Sequence, residues 1–105
     1  MLQINTGFKK GDGVTVVLDN MNEIVGRFVS EDEKSLVLSC VRVIVPQANA
    51  QGGIGISLHP ICYSSEEAQK GEMTFSKEKI ITYLKAMESI DKNLRQEDTG
   101  IVGVN

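Results

Sequence analysis

The chain has 105 residues, 41% of them hydrophobic and 24% charged, with ten glycines and two prolines; this suits one folded domain and is unlike a disordered segment. Eleven Lys and Arg against fourteen Asp and Glu leave a net charge of −3. That balance excludes a whole-surface electrostatic grip on nucleic acid or anionic membrane, though not a local basic rim.

No apolar run approaches the roughly 20 residues of a membrane span. The opening Met1-Leu2-Gln3-Ile4-Asn5 has no charged stretch leading into an apolar one, so a cytoplasmic location without a membrane partner is expected. Cys40 and Cys62 are too few for a disulfide framework, and a reducing compartment keeps them as thiols. Both suit small buried or half-buried positions; whether they meet across strands stays open. The aromatic residues are Phe8, Phe28, Tyr63, Phe75 and Tyr83, so the core must rely on Val, Ile and Leu.

In chain order, Gly11-Asp12-Gly13 marks a turn. Val14-Thr15-Val16-Val17-Leu18 reads as a first strand with Val14, Val16 and Leu18 on one face. Asp19-Asn20-Met21-Asn22 is a turn, because short polar side chains tolerate tight or left-handed backbone. Residues 23–30 form a second strand with Gly26 at its centre, a position that suits a sharp bend or a close backbone approach. After the charged turn Glu31-Asp32-Glu33-Lys34, a third strand spans 35–45. Its alternation fails beyond Cys40, which predicts cover on both faces, and Pro46 is expected to stop it.

Residues 46–56 suggest a mobile loop, leading to an extended stretch over 54–63 that Pro60 confines to a sheet edge. Residues 64–71 form a solvated connection. Two short strands follow, 73–76 and 80–84, separated by Lys77-Glu78-Lys79. Beyond Leu84 the spacing of Met87, Ile90 and Leu94 predicts a short amphipathic helix, with Glu88 and Lys92 at the supporting i, i+4 interval. The tail Gly100-Ile101-Val102-Gly103-Val104-Asn105 is apolar enough to dock. The pattern as a whole predicts a single, mostly β domain over 1–105: a small, strongly bent barrel over 14–84 and a helix and tail over 85–105.

Catalytic chemistry is not signalled. His59, the only histidine, has no Ser or Cys elbow to activate. No CxxC or HxxxH spacing offers a metal site, and Glu31-Asp32-Glu33 suits a solvated turn better than a cation. Gly52-Gly53-Ile54-Gly55 lacks the Lys-Ser/Thr of a phosphate-binding loop. No enzyme activity, catalytic residue, metal or cofactor is expected.

The segment from Val14 to Asp32 resembles the first box of the Sm and Sm-like (LSm) proteins, with Leu18, Asn20, Ile24, Gly26, Phe28 and Asp32 in step. A looser match, Phe75-Ser76-Lys77-Glu78-Lys79-Ile80-Ile81-Thr82-Tyr83-Leu84, resembles the second box. Together they cover about 30 of the 105 residues. With Thr99-Gly100-Ile101 near the end, the chain is also similar to Sm-like proteins of tailed phages of marine bacteria, which would place it in the host cytoplasm.

The resemblance implies a five-stranded, highly bent Sm-like barrel, related to SH3-like and OB-like barrels, with an enlarged hairpin over 46–71 between its third and fourth strands. It also implies edge-to-edge pairing of identical copies into a closed ring of about five to seven subunits. In the family, the turn after the Asp stacks and reads a base of RNA. Here Lys34 and Ser35 stand in that turn, and Lys77 stands where the second box has arginine. Lysine lacks the flat stacking surface and bidentate fork of arginine, and Ser35 offers one hydroxyl in place of an amide. The resemblance therefore implies a homo-oligomeric ring that binds RNA or another single strand with low sequence preference. The alternative is a structural or adaptor ring that has lost nucleic acid.

Overall fold

A computed structural model describes residues 7–48, 50–66 and 71–99; the apolar tail over 100–105 lies outside them. β-Branched alternation makes β1, Gly13–Leu18, a strand with Val14 and Val16 fully buried and Leu18 packed beside them. It turns into β2, Glu23–Glu31, through Asp19–Asn22 residues as the composition suggests. The left-handed residue there is Met21, at φ 72°, while Asn20 Oδ1 accepts from the Asn22 amide at 3.0 Å.

β3 runs Ser35–Ala48, β4 Ile54–Pro60, β5 Glu72–Ser76 and β6 Ile80–Lys85. A 3₁₀ turn, Lys77–Lys79, joins β5 to β6, and α1, Glu88–Thr99, closes the described chain. All strand pairings are antiparallel, in the order β4-β3-β2-β1-β6, with β5 also on β3. β4 and β5 share one edge of β3 end to end, β4 pairing with residues 42–48 and β5 with residues 35–39.

Two irregularities bend the β2–β3 ladder. Val25 pairs with Arg42 and Arg27 with Ser39, so Gly26 opposes two residues, Cys40 and Val41. Phe28 then pairs with Leu38 and Ser30 with Val37, leaving Val29 as the extra residue on β2. Such bulges sharpen strand twist and bend the ribbon. Cys40 takes a left-handed conformation, φ 52°, to carry the first of them.

This step explains the lost alternation in β3. Leu36, Leu38 and Val41 face one core with Val14, Val16, Ile24 and Phe28. Cys40 faces a second core with Val25, Ile90 and Leu94 of α1. The two free thiols are thus placed differently, Cys40 buried and Cys62 half-buried. α1 approaches β1 closely at Gly13, where a Cβ would lie 2.7 Å from Asp91 Oδ1.

The sheet path β5-β3-β2-β1-β6 has β5 and β6 at opposite ends, yet only three residues of 3₁₀ turn join them. Five strands laid flat would separate those ends by about 19 Å, whereas such a turn rises about 6 Å. The sheet must therefore curl. It remains open: β5 and β6 do not pair with each other. Six strands are present where the family pattern implies five, the additional one being β4 of the enlarged hairpin.

Two expectations are corrected. Pro46 does not stop β3, which continues to Ala48; β2 pairs no farther along β3 than Val43, so on that side no ladder asks for the proline's missing N–H. Consequently 46–48 is strand, not loop, while 54–56 belongs to the extended stretch expected over 54–63. Met87 precedes α1 and is exposed, leaving Ile90 and Leu94 as the buried stripe.

A Cβ on Gly26 would lie 2.9 Å from Leu38 Cβ and 3.2 Å from the Ser39 carbonyl oxygen. Gly26→Ala is expected to cost about 1–3 kcal/mol through overpacking, and Gly26→Val more, measured as a fall in the urea midpoint. An unchanged midpoint in Gly26→Val would contradict this account of the bend.

Candidate nucleic-acid interface at the paired turns

Asp32 organises the β2–β3 turn. Its Oδ1 accepts from the amides of Lys34 and Ser35, both at 2.8 Å, and its own amide donates to the Ser35 carbonyl at 2.9 Å. A short carboxylate at this position substitutes for a missing backbone partner. Those two amide bonds, the Lys34 one foremost, hold its carboxyl below the ordinary carboxylate range.

The second turn docks on the first. The Lys77 amide donates to the Lys34 carbonyl at 2.8 Å, and Ser35 pairs with Ser76. Lys34, Ser35 and Lys77, remote in sequence, are therefore brought together. Between the turns lies a shallow cavity of about 300 Å³ lined by Glu33, Lys34, Ser76, Lys77 and Glu78.

Beneath it sits a residue that sequence reasoning left in the charged turn. Glu31 ends β2, and its Oε1 accepts from Lys77 Nζ at 2.7 Å and from the Tyr83 hydroxyl at 2.6 Å. The side chains are only 13% exposed for Lys77 and 7% for Glu31. Lys77 Nζ also lies 5.5 Å from the Tyr83 ring centroid, within cation–π range. Phe8 packs on the same ring at 6.0 Å and on Phe28 at 5.6 Å. Glu31 lies three residues beyond the core-facing Phe28, an odd spacing that assigns it to the opposite face; the bulge at Val29 reverses that phase, so no signal marked it.

Burial works against the Lys77 charge, but its bonds to Glu31 and Tyr83 outweigh burial and raise its pKa. Burial, then the bond to Glu31, raises the pKa of Tyr83. The Lys77 ammonium is thus compensated by Glu31, which leaves Lys34 as the exposed lysine lining the cavity between the turns. Two lysines stand here among four carboxylates, Glu31, Asp32, Glu33 and Glu78. The local field does not favour a polyanion.

The remaining matched residues are structural. Leu18 and Phe28 pack in the core, Gly26 makes the bend, Asp32 caps the turn and Tyr83 anchors Glu31. Elsewhere, His59 Nε2 lies 2.9 Å from Ser57 Oγ on β4, a same-face pair two residues apart. Among the described residues no group of three or more His, Cys, Asp or Glu converges, and no helix is long and apolar enough to cross a membrane.

Removing the Tyr83 hydroxyl deletes one hydrogen bond to a charged group, so Tyr83→Phe is expected to lose about 1.5 kcal/mol. Glu31→Ala is expected to lose more, because it strands the half-buried ammonium. Urea denaturation checks both. A raised lysine pKa stabilises the fold below 10.5 and loses that contribution as pH rises through the folded value; the raised Tyr83 value acts in the same direction above 10.0. Stability is therefore expected to fall above about pH 10, and less steeply in Tyr83→Phe. The lowered Asp32 value has the opposite sign: its contribution is lost as pH falls below the ordinary carboxylate range. No model of a known protein family matches the chain, and no curated protein does.

Proposed function

We propose that the chain is an Sm-like subunit that assembles with copies of itself into a closed ring, and that this assembly is its primary activity. One observation carries the reading. β5 and β6 are the two ends of a curled sheet, each pairing on one side only among the described residues, and Ile81 and Leu84 stand exposed along β6. Unsatisfied strand edges of this kind either aggregate or are matched by another chain. The β5 edge of one copy and the β6 edge of the next make a heterologous contact, which ends in a ring when the rotation closes. Short turns that fix both edges rigidly favour such closure over open fibres. The sequence resemblance in both boxes supports the same reading.

A second reading, a ring that holds single-stranded nucleic acid with low sequence preference, is favoured by the convergence of Lys34, Ser35 and Lys77. Identical weak sites around a ring add through avidity. The carboxylates around them oppose it, which is why assembly stands first.

Light scattering of the full chain is expected to give a single multimer of about five to seven copies. Leu84→Asp on the β6 edge is expected to disperse it into folded monomers. A monomeric wild type at all concentrations would end the ring reading. Titration of labelled oligo-U and oligo-A at two salt concentrations decides the second reading. Binding that weakens with salt and with Lys34→Ala supports it, while an intact ring without binding at low salt leaves assembly alone.

A further inference from the structure

The inner core is incompletely covered at both margin strands. Its buried members lie on β1, β2 and β3, whereas Met73 and Phe75 of β5 and Ile80 and Tyr83 of β6 pack against it half-buried. The two margins repeat at the same interval. On β5 the core-facing residues are two apart, the ordinary strand period, and Glu72, Thr74 and Ser76 are exposed on the other face. On β6 they are three apart, but Ile81 is an extra residue there: Thr82 pairs with Val17, and Ile80 with Leu18. With that bulge discounted, the interval is again two.

We propose that the β5 edge of one copy and the β6 edge of the next pair antiparallel in a single register. Met73 stands opposite Tyr83 of the next copy, Thr74 opposite Thr82, Phe75 opposite Ile80 and Glu72 opposite Leu84. The inference rests on the ring reading and specifies its contact residue by residue. In this register the inner core of each copy continues into that of its neighbour, and the half-buried side chains at the two margins cover one another.

Other registers fail on the same residues. Sliding by one residue turns every core-facing side chain to the wrong face. Sliding by two sets Lys85 against Met73 in one direction and Glu78 against Phe75 in the other, so a charge meets the core either way. The antiparallel sense continues the pattern of every ladder in the molecule, and antiparallel pairing is the more stable per residue. Charge agrees with it. The neighbour's exposed Lys85 comes to the Glu72 end of β5, and its exposed Lys79 to the Ser76 end, beside the exposed Glu78. Within one copy these lysines meet only Asp12 and Asp19 among the ion pairs described, both at 3.9 Å with the lysines 70% exposed; such pairs hold a side chain weakly.

Paired cysteines in the full chain read this register. In a Cys62→Ser background, which leaves only the buried Cys40 thiol, two double variants are oxidised: Glu72→Cys with Leu84→Cys, and Thr74→Cys with Thr82→Cys. All four positions are exposed in one copy, and light scattering before oxidation establishes that each variant assembles. Each pair is expected to give a ladder of covalent multimers on a non-reducing gel, because residues directly opposite lie within disulfide reach. Two further pairs are expected to cross-link at least tenfold more slowly: Ser76→Cys with Leu84→Cys, which a parallel contact would join, and Thr74→Cys with Leu84→Cys, which a two-residue slide would join. A ring in which neither of the first pairs cross-links, or in which one of the further pairs is faster, would overturn the register and leave the ring standing. A wild type that never assembles would overturn the ring and this inference together.

Discussion

The β2–β3 ladder loses step twice, once on each strand, and the rest of the molecule is built around that double irregularity. At Gly26 the partner strand carries the extra residue, and at Val29 the same strand does. Opposed bulges add bend without moving the strands permanently out of register. They also let one strand serve two cores, since Leu38 and Val41 face the inner cluster while Cys40 faces the helix. A chain with only five aromatic residues gains buried apolar surface on both sides of its longest strand. Gly26 is required because the bend brings Leu38 and the Ser39 carbonyl to where a Cβ would be.

The bend fixes where the two turns lie. Curling the sheet brings the end of β2 beneath the β5–β6 connection, so that Glu31 meets Lys77 and Tyr83 across about fifty residues of sequence. A half-buried carboxylate with two short charge-assisted bonds holds the connection in one arrangement. The same bonds remove Lys77 from the pool of exposed cations. Where the second-box pattern that the sequence resembles has an arginine, this chain has a lysine turned inward to a carboxylate. Structural anchoring and electrostatic attraction compete for one side chain, and anchoring wins.

An open curl leaves two strand edges. Among the described residues β5 and β6 each pair on one side only, on opposite margins, and the β3–β4 ribbon extends one of those margins with an apolar ladder. β4 and β5 lie end to end along one edge of β3.

Much of this was legible in the residues. β-Branched alternation placed β1 and β2, the broken alternation after Cys40 announced a strand covered on two sides, and the spacing of Ile90 and Leu94 marked the helix face. Pro46 misled, because whether a proline ends a strand depends on which neighbour would have used its amide. Met87 misled too: it fits the helical period but precedes the helix. The role of Glu31 was invisible, since a bulge shifted its phase and its partners lie far along the chain. Local pattern by itself determined the strand and helix positions, because periodicity and turn chemistry act over a few residues. Only the tertiary structure decided which charges cancel, which edge stays open and which apolar face stays bare, because those depend on segments that meet only after the sheet has curled.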